Sequence, residues 1–117
     1  MKILLIGATG QLGGDLLRTN PGHEIVAPPR DQLDLARPGT AAKQIREARP
    51  DVVINCAAFH NVPRCEEEPA QAFLINCVAV RDLAEGCSDV GARLVTFSSD
   101  YVFGGERSNP WREDDLP

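Results

Sequence analysis

The residues best suited to chemistry stand near the start of the chain. Gly7-Ala8-Thr9-Gly10-Gln11-Leu12-Gly13 follows the apolar run Ile3-Leu4-Leu5-Ile6 and leads into Leu16-Leu17. Glycines at this GxxGxxG spacing meet three needs: a tight turn, close approach of backbone to a pyrophosphate, and close packing of helix on strand. A helix opening there presents free N–H groups and the positive end of its dipole to the phosphates. Glycine-rich loops are common, so the triplet alone says little. Its place between an expected strand and an expected helix makes it a dinucleotide-binding signature.

Other polar groups are spaced along the chain. Asn55-Cys56-Ala57-Ala58 closes a second apolar run, and Phe97-Ser98-Ser99-Asp100-Tyr101-Val102-Phe103 closes a third. Asn76 interrupts an apolar stripe between Phe73 and Val80. A buried amide there needs a partner, because leaving it unpaired costs ~1–3 kcal/mol. Both a bond to nearby backbone and a catalytic role satisfy that need. The four cysteines (Cys56, Cys65, Cys77, Cys87) form no CxxC pair, and His23 and His60 are not spaced as metal ligands. Neither a metal site nor a disulfide framework is expected.

The elements that must position these groups alternate. Lys2–Ile6 reads as a strand covered on both faces. Gly10–Arg18 reads as a helix with Leu12, Leu16 and Leu17 on one side, stopped before Asn20-Pro21-Gly22. Glu24–Ala27 is a short strand cut off by Pro28-Pro29. Thr40–Ala48 is helical, with Thr40 as N-cap, and Asp51–Cys56 is a buried strand. Pro69–Cys87 is a long helix with proline in its first turn. Its stripe of Phe73, Cys77, Val80, Leu83, Ala84 and Cys87 follows the 3.6 period. Arg93–Phe97 is a fourth strand. Such alternation implies βαβ units and a parallel sheet with right-handed crossovers. The expected fold class is α/β, doubly wound, Rossmann-type. A strand order of 3-2-1-4 leaves Arg93–Phe97 as an open edge, with Val95 and Phe97 on it, and predicts self-association such as a homodimer.

Composition excludes several classes. The 117 residues carry 17 acidic and 12 basic side chains, a net charge of −5, which argues against a nucleic-acid partner. No apolar run approaches the ~20 residues that span a bilayer, so no membrane partner is expected. The N-terminal run is shorter than the core of a signal peptide and has no cleavage site after it. The cytoplasm is the expected compartment. Length suits one domain and leaves no room for two.

With its Ala-Thr filler, the first loop resembles the extended, sugar-nucleotide branch of the short-chain dehydrogenase/reductase superfamily. Asn55-Cys56-Ala57-Ala58 matches that superfamily's Asn-x-Ala-Ala segment. Ser98-Ser99-Asp100-Tyr101-Val102-Phe103, followed by Pro110-Trp111-Arg112-Glu113-Asp114-Asp115, resembles the dTDP-4-dehydrorhamnose reductase family in particular. This resemblance covers essentially the whole chain. It implies NAD(P)H-dependent reduction of the 4-keto group of dTDP-4-dehydro-L-rhamnose, a dTDP-sugar substrate. By matching motif, Gly7, Gly10, Gln11, Leu12 and Gly13 hold the pyrophosphate, and Asp34-Leu35 lies beside the adenine. Ala57, Ala58 and Phe59 line the ribose side. Ser99 hydrogen-bonds the reacting carbonyl, with Asp100 beside it in the sugar-nucleotide site. Taken as residues alone, Asp34 also reads as a solvated loop acid and Ser99 as a hydroxyl tying down a strand end. Trp111 is expected to pack its loop rather than touch ligand.

NAD-specific Rossmann domains place an acid at the end of the second strand, for the ribose 2′-OH. Here Pro28-Pro29-Arg30 stands there. Arg30 can pair with a 2′-phosphate, so NADPH is favoured and NADH is possible; as a residue alone, Arg30 also reads as a solvated loop charge.

One departure from the superfamily is plain. Its reductases carry a Tyr-x-x-x-Lys pair in which the lysine lowers the tyrosine pKa and the tyrosine gives the carbonyl oxygen its proton. The one tyrosine, Tyr101, has Gly105 four residues on, and the lysines are Lys2 and Lys43. Residues 1–117 are therefore expected to be the N-terminal part of an NAD(P)-binding Rossmann domain, without the substrate domain. Two alternatives share the first loop: another sugar-nucleotide epimerase or dehydratase, and a non-catalytic nucleotide-binding protein resembling the regulatory subunit of methionine adenosyltransferase. The Ser98-Ser99 pair, where the reductases have Ser-Thr, leans toward the latter.

Overall fold

The computed structural model describes residues 1–105 and 107–116, with the Asp100 side chain outside that description. Among the described residues, four parallel strands form one sheet: β1 (Lys2–Ile6), β2 (Glu24–Val26), β3 (Val52–Asn55) and β4 (Arg93–Thr96), in the order β2-β1-β3-β4. Leu4 of β1 stands opposite both Val26 and Val53, and Val53 stands opposite Leu94. β1 is central, and Ile3, Leu4, Leu5 and Ile6 are all buried, as a strand covered on both faces requires.

The observed order corrects the expected 3-2-1-4. Among the described residues, no strand lies between β2 and α2 (Thr40–Ala48), because Pro28-Pro29 ends β2 and the chain runs on as turns. It then crosses through α2 to the opposite side of β1. The sheet therefore grows outward from β3, and β4 forms an edge as expected.

Helix α1 (Gln11–Arg18) packs buried Gly13 on the turn from Gly7 to Ala8 and leaves Leu16 half-buried, while Leu12 and Leu17 are exposed. Thr40 is the first helical residue of α2 rather than its cap. Gly39 caps it in left-handed conformation, and the Thr40 hydroxyl donates to the carbonyls of Asp34 and Arg37, both at 2.8 Å. A short helix not expected from the sequence, α3 (Val62–Glu67), begins where the Asn61 side chain accepts the Arg64 N–H.

The long helix is continuous but not uniform. It runs as α4 (Pro69–Phe73), a π-helical segment (Leu74–Val78), and α5 (Ala79–Val90). The expected stripe is corrected here. Phe73 is 64% exposed, and Cys77 and Ala84 are exposed as well. The inward positions are Ile75, Ala79, Leu83, Gly86 and Cys87. A π turn holds more residues than an α turn, so it shifts the phase that a 3.6 period assumes.

The core gathers Leu4, Ile6 and Val53 from the sheet, Leu33 and Leu35 from the loop after β2, Ile45 from α2, and Leu83 and Cys87 from α5. Helices α2 and α5 approach closely at Gly86. A Cβ there would lie 2.9 Å from the Ala42 Cα. Beyond β4, the Phe103 ring stacks on Trp111 at 4.6 Å and the Arg107 guanidinium covers Trp111 at 4.9 Å. Trp111 thus packs its loop, as expected.

Candidate functional site

A cavity of about 510 Å³ opens at the carboxyl ends of β1, β2 and β3. This is where parallel α/β sheets bind ligands, because the chain goes from β1 to β2 on one side and then returns to β3 on the other. Most of its walls come from three loops: Gly7-Ala8-Thr9 after β1, the segment from Ala27 to Leu35 after β2, and Ala57-Ala58-Phe59 after β3.

The glycines of the first loop have distinct roles. Gly7 has φ +80, and a Cβ there would come within 2.8 Å of the Ala57 nitrogen. Both facts exclude a side chain. Gly13 packs against the turn from Gly7 to Ala8, where a Cβ would stand 2.8 Å from the Ala8 Cα. Gly10 differs: its φ of −77 and ψ of 171 suit any residue, and a Cβ would meet only the Gly7 oxygen, at 3.4 Å. Gly10 is the N-cap of α1, where glycine is tolerated, but neither its dihedral angles nor its neighbours require it. Gly10 donates its N–H to the Gly7 carbonyl at 3.0 Å and receives the Gly14 N–H at 2.9 Å. The N–H groups of Gln11, Leu12 and Gly13 lie in the first turn of α1, where a helix supplies no acceptor. A pyrophosphate fits this arrangement: bare backbone at Gly10 and donors behind it, at the positive end of a helix.

The second wall carries the charge. Arg30 is 79% exposed at the rim, its Nε 3.7 Å from Asp34 Oδ1. The Asp34 side chain is only 21% exposed; it accepts the Ala36 N–H at 3.0 Å and lies 3.8 Å from the Arg37 Nε. Asp34 thus organises its own loop and holds two arginines beside the cavity. Leu35 lines the cavity and is also part of the core.

The third wall is set by Asn55, buried at the end of β3. Its side chain accepts the Ala57 N–H at 3.1 Å and donates to the Thr96 hydroxyl at 3.4 Å. That turn brings Ala57, Ala58 and Phe59 to the cavity. Arg64 of α3 covers the Phe59 ring at 5.1 Å and pairs with Glu68 at 2.8 Å. The Glu68 carboxylate, by hydrogen bond and charge, holds the guanidinium above its ordinary pKa. Arg64, Glu68 and Gln71 line the cavity and were not expected from the sequence. The signal was present: Asn61 and Pro63 are helix-start residues, and Arg64 and Glu68 stand four apart.

The structure brings together Gly7, Arg30, Asp34, Leu35, Ala57, Ala58 and Phe59 around one cavity, with Gly10, Gln11, Leu12 and Gly13 at the adjoining helix start. Ser99 lies apart, beyond β4 and outside the cavity walls. Its hydroxyl accepts the Tyr101 N–H at 3.2 Å, at the start of a 3-10 turn over Asp100–Val102. The Asp100 side chain lies outside the described structure. Tyr101 is 91% exposed. Among the described residues, no cluster of three or more His, Cys, Asp or Glu is placed to hold a metal ion, and no helix is long and apolar enough to cross a membrane.

Comparison with known proteins agrees with this geometry. The family model described as RmlD substrate binding domain matches residues 1–117. A dTDP-4-dehydrorhamnose reductase of Burkholderia thailandensis is 44% identical over 116 residues, which are 98% of this chain and 39% of that protein. A crystal structure of a dTDP-4-dehydrorhamnose reductase from Clostridium acetobutylicum superposes with a TM-score of 0.90 at 39% identity, covering 98% of this chain and 42% of its own. The Bacillus anthracis dTDP-4-dehydrorhamnose reductase, in complex with NADP, does so with a TM-score of 0.90 at 35% identity, covering 99% and 42%. The chain thus spans about 40% of the length of the relatives it matches. It belongs to the RmlD substrate-binding domain family and aligns with the N-terminal part of dTDP-4-dehydrorhamnose reductases.

Proposed function

We propose that this chain binds NADPH, and NADH less well, in the cavity at the ends of β1, β2 and β3. In this reading, residues 1–117 are the N-terminal part of the nucleotide-binding domain of a cytoplasmic reductase, and the substrate domain lies outside them. Its substrate is dTDP-4-dehydro-L-rhamnose, reduced at the 4-keto group. The observation that carries the cofactor reading is Gly10, a glycine that neither its dihedral angles nor its neighbours require. The substrate reading is supported by the names of the relatives at 35–44% identity.

Each residue then has a task. Gly7, Gly10 and Gly13 clear the space for the pyrophosphate, and the N–H groups of Gln11, Leu12 and Gly13 face it. Arg30, held near Asp34, pairs with the 2′-phosphate, and Pro28-Pro29 rather than an acid stands at the end of β2. Leu35 gives an apolar surface to the adenine, with Asp34 at its edge, and Ala57, Ala58 and Phe59 close the ribose side. When bound, the nicotinamide supplies hydride to the ketone carbon. Ser99 donates a hydrogen bond to the ketone oxygen, and Asp100 belongs to the sugar-nucleotide site beside it.

Calorimetry of the 117-residue chain with NADPH and with NADH tests the cofactor reading. Saturable binding, tighter for NADPH, is expected. Absence of binding by either overturns it.

A further inference from the structure

We propose that Arg64 is a base-binding residue of the cavity: its guanidinium, fixed by Glu68 and Phe59, stacks on the face of the adenine opposite Leu35. The proposal rests on the dinucleotide reading above. Arg64 stands in α3 and lines the cavity together with Glu68. Its Nε and Nη2 both donate to Glu68 Oε1, at 3.2 and 2.8 Å. Its guanidinium carbon lies 5.1 Å from the centre of the Phe59 ring. Among the described residues, no other side chain forms a hydrogen bond or ion pair with the group. The Arg64 side chain is nevertheless 57% exposed, so it is fixed without being covered. An exposed ion pair contributes little to stability. What the arrangement does achieve is to remove freedom that an arginine would otherwise lose on binding a ligand.

The surroundings select the ligand chemistry. The wall after β2 offers Pro28, Pro29, Leu33 and Leu35, and the long helix adds Ile75, so the cavity between Arg30 and Arg64 is largely apolar. The two arginines come from different loops and differ in their partners. Arg30 has its Nε 3.7 Å from Asp34, a loose contact that leaves its N–H groups to a phosphate. Arg64 makes two hydrogen bonds to Glu68, whose charge offsets its own toward a further anion. A guanidinium so paired keeps its planar shape, and such planes stack on aromatic rings through dispersion and cation–π attraction. The flat ring that a dinucleotide brings to an apolar slot is its adenine. Arg30 thus serves the phosphate and Arg64 the base. Because NADP and NAD share that base, Arg64 contributes equally to both.

Two variants of the 117-residue chain, titrated with NADP⁺ and with NAD⁺, test the proposal. Arg64→Ala should bind each about fivefold more weakly than the parent, the size of a cation–π contact at a partly exposed site. That factor should hold between about 0.05 and 0.5 M salt, because a neutral base is not screened as a phosphate is. Arg64→Lys keeps the charge but loses the planar fork, and should stay at least about threefold weaker than the parent. In the parent saturated with NADP⁺, nuclear Overhauser contacts should join the Arg64 side chain to the adenine ring protons. If Arg64→Ala does not fold, the lysine variant and these contacts decide. Four results overturn the proposal while the dinucleotide reading stands: parental affinity in Arg64→Ala, a loss confined to NADP⁺ or fading with salt, full rescue by lysine, or no Arg64–adenine contacts. Failure of the parent to bind either dinucleotide overturns both.

Discussion

Gly13 sits so close to Gly7 that a Cβ at position 13 would come within 2.8 Å of the Gly7 carbonyl carbon. Both partners are backbone, so neither can turn aside as a side chain would. Gly13→Ala should therefore destabilise the fold by ~1–3 kcal/mol, the range for forcing extra volume into a packed site. Chemical denaturation should show a lower midpoint at unchanged slope. A midpoint equal to the parent's contradicts the close packing of α1 on the first turn.

Gly10 gives the opposite expectation three residues earlier. Its Cβ would have room, and its backbone already suits an ordinary residue. Gly10→Ala should leave the denaturation midpoint unchanged or raise it, by up to ~1 kcal/mol through reduced freedom in the unfolded chain. NADPH affinity should fall by more than ~10-fold, equivalent to ~1.4 kcal/mol, because the methyl occupies the approach to the pyrophosphate. Together the two alanine variants separate a glycine the fold needs from one the ligand needs. Loss of stability without loss of binding in Gly10→Ala would reverse the assignment.

Arg30 should discriminate between the two cofactors. Its guanidinium is solvent-exposed and close to Asp34, so its bond to a 2′-phosphate is screened. Arg30→Ala should weaken NADPH binding by ~1.5 kcal/mol, the low end for a hydrogen bond to a charged group. NADH, which has no 2′-phosphate, should be little affected. Parallel titrations give the answer, and equal losses for both cofactors overturn the pairing of Arg30 with the 2′-phosphate.

The thiols should respond to pH according to depth. Burial pushes the Cys87 and Cys56 thiols up, because it disfavours the charged thiolate. At any given pH each then carries less thiolate than it does in the unfolded chain, and reacts more slowly with an alkylating reagent. The exposed Cys77 should be modified first and buried Cys87 last. The linkage has a definite sign. A raised folded-state pKa gives stability that is complete below the unfolded thiol's pKa and is lost as pH climbs through it toward the folded value. Peptide mapping after timed alkylation, and melts across the alkaline range, test both statements. Early labelling of Cys87 would contradict its burial.

What could be read from the residues divides by the range of the interaction. β1 and the turn at Gly7 were legible because an apolar run followed by spaced glycines is a local pattern. The cavity walls at Arg30, Asp34 and Ala57 followed from motif resemblance and the end of each strand. Strand order was not legible in the same way. It depends on whether the segment between Val26 and Thr40 forms a strand, and that segment instead folds into turns around Asp34. The buried face of the long helix was misplaced for another reason. A period of 3.6 residues per turn does not hold through Leu74–Val78, where a π turn alters the phase, so Ile75 rather than Phe73 faces the core. Asn76 stood out as a polar interruption, but its partner Phe59 is 17 residues away in sequence, and no periodicity connects them.

The 117-residue chain should bind the cofactor yet reduce no ketone. Transfer of hydride to a carbonyl carbon leaves negative charge on the oxygen, and that oxygen must take a proton from a positioned acid. In Tyr-x-x-x-Lys reductases the lysine stands one helical turn from the tyrosine and makes it acidic enough to serve. Here Tyr101 is followed four residues later by Gly105, while Lys2 starts β1 and Lys43 lies in α2. Tyr101 is also turned to solvent, in a 3-10 turn away from the cavity walls. Ser99 can donate a hydrogen bond to the oxygen, but an aliphatic hydroxyl is too weak an acid to give up its proton readily near neutral pH. Loss of a general acid lowers rate by ~10²–10⁴-fold. Missing substrate contacts remove positioning that contributes up to ~7–11 kcal/mol. The assay follows NADPH absorbance with dTDP-4-dehydrorhamnose, comparing this chain with one extended by the remaining length of a relative. The extended chain should turn over, its Ser99→Ala variant more slowly, and the 117-residue chain not measurably. Comparable turnover by the short chain would mean that an acid among these residues has been overlooked.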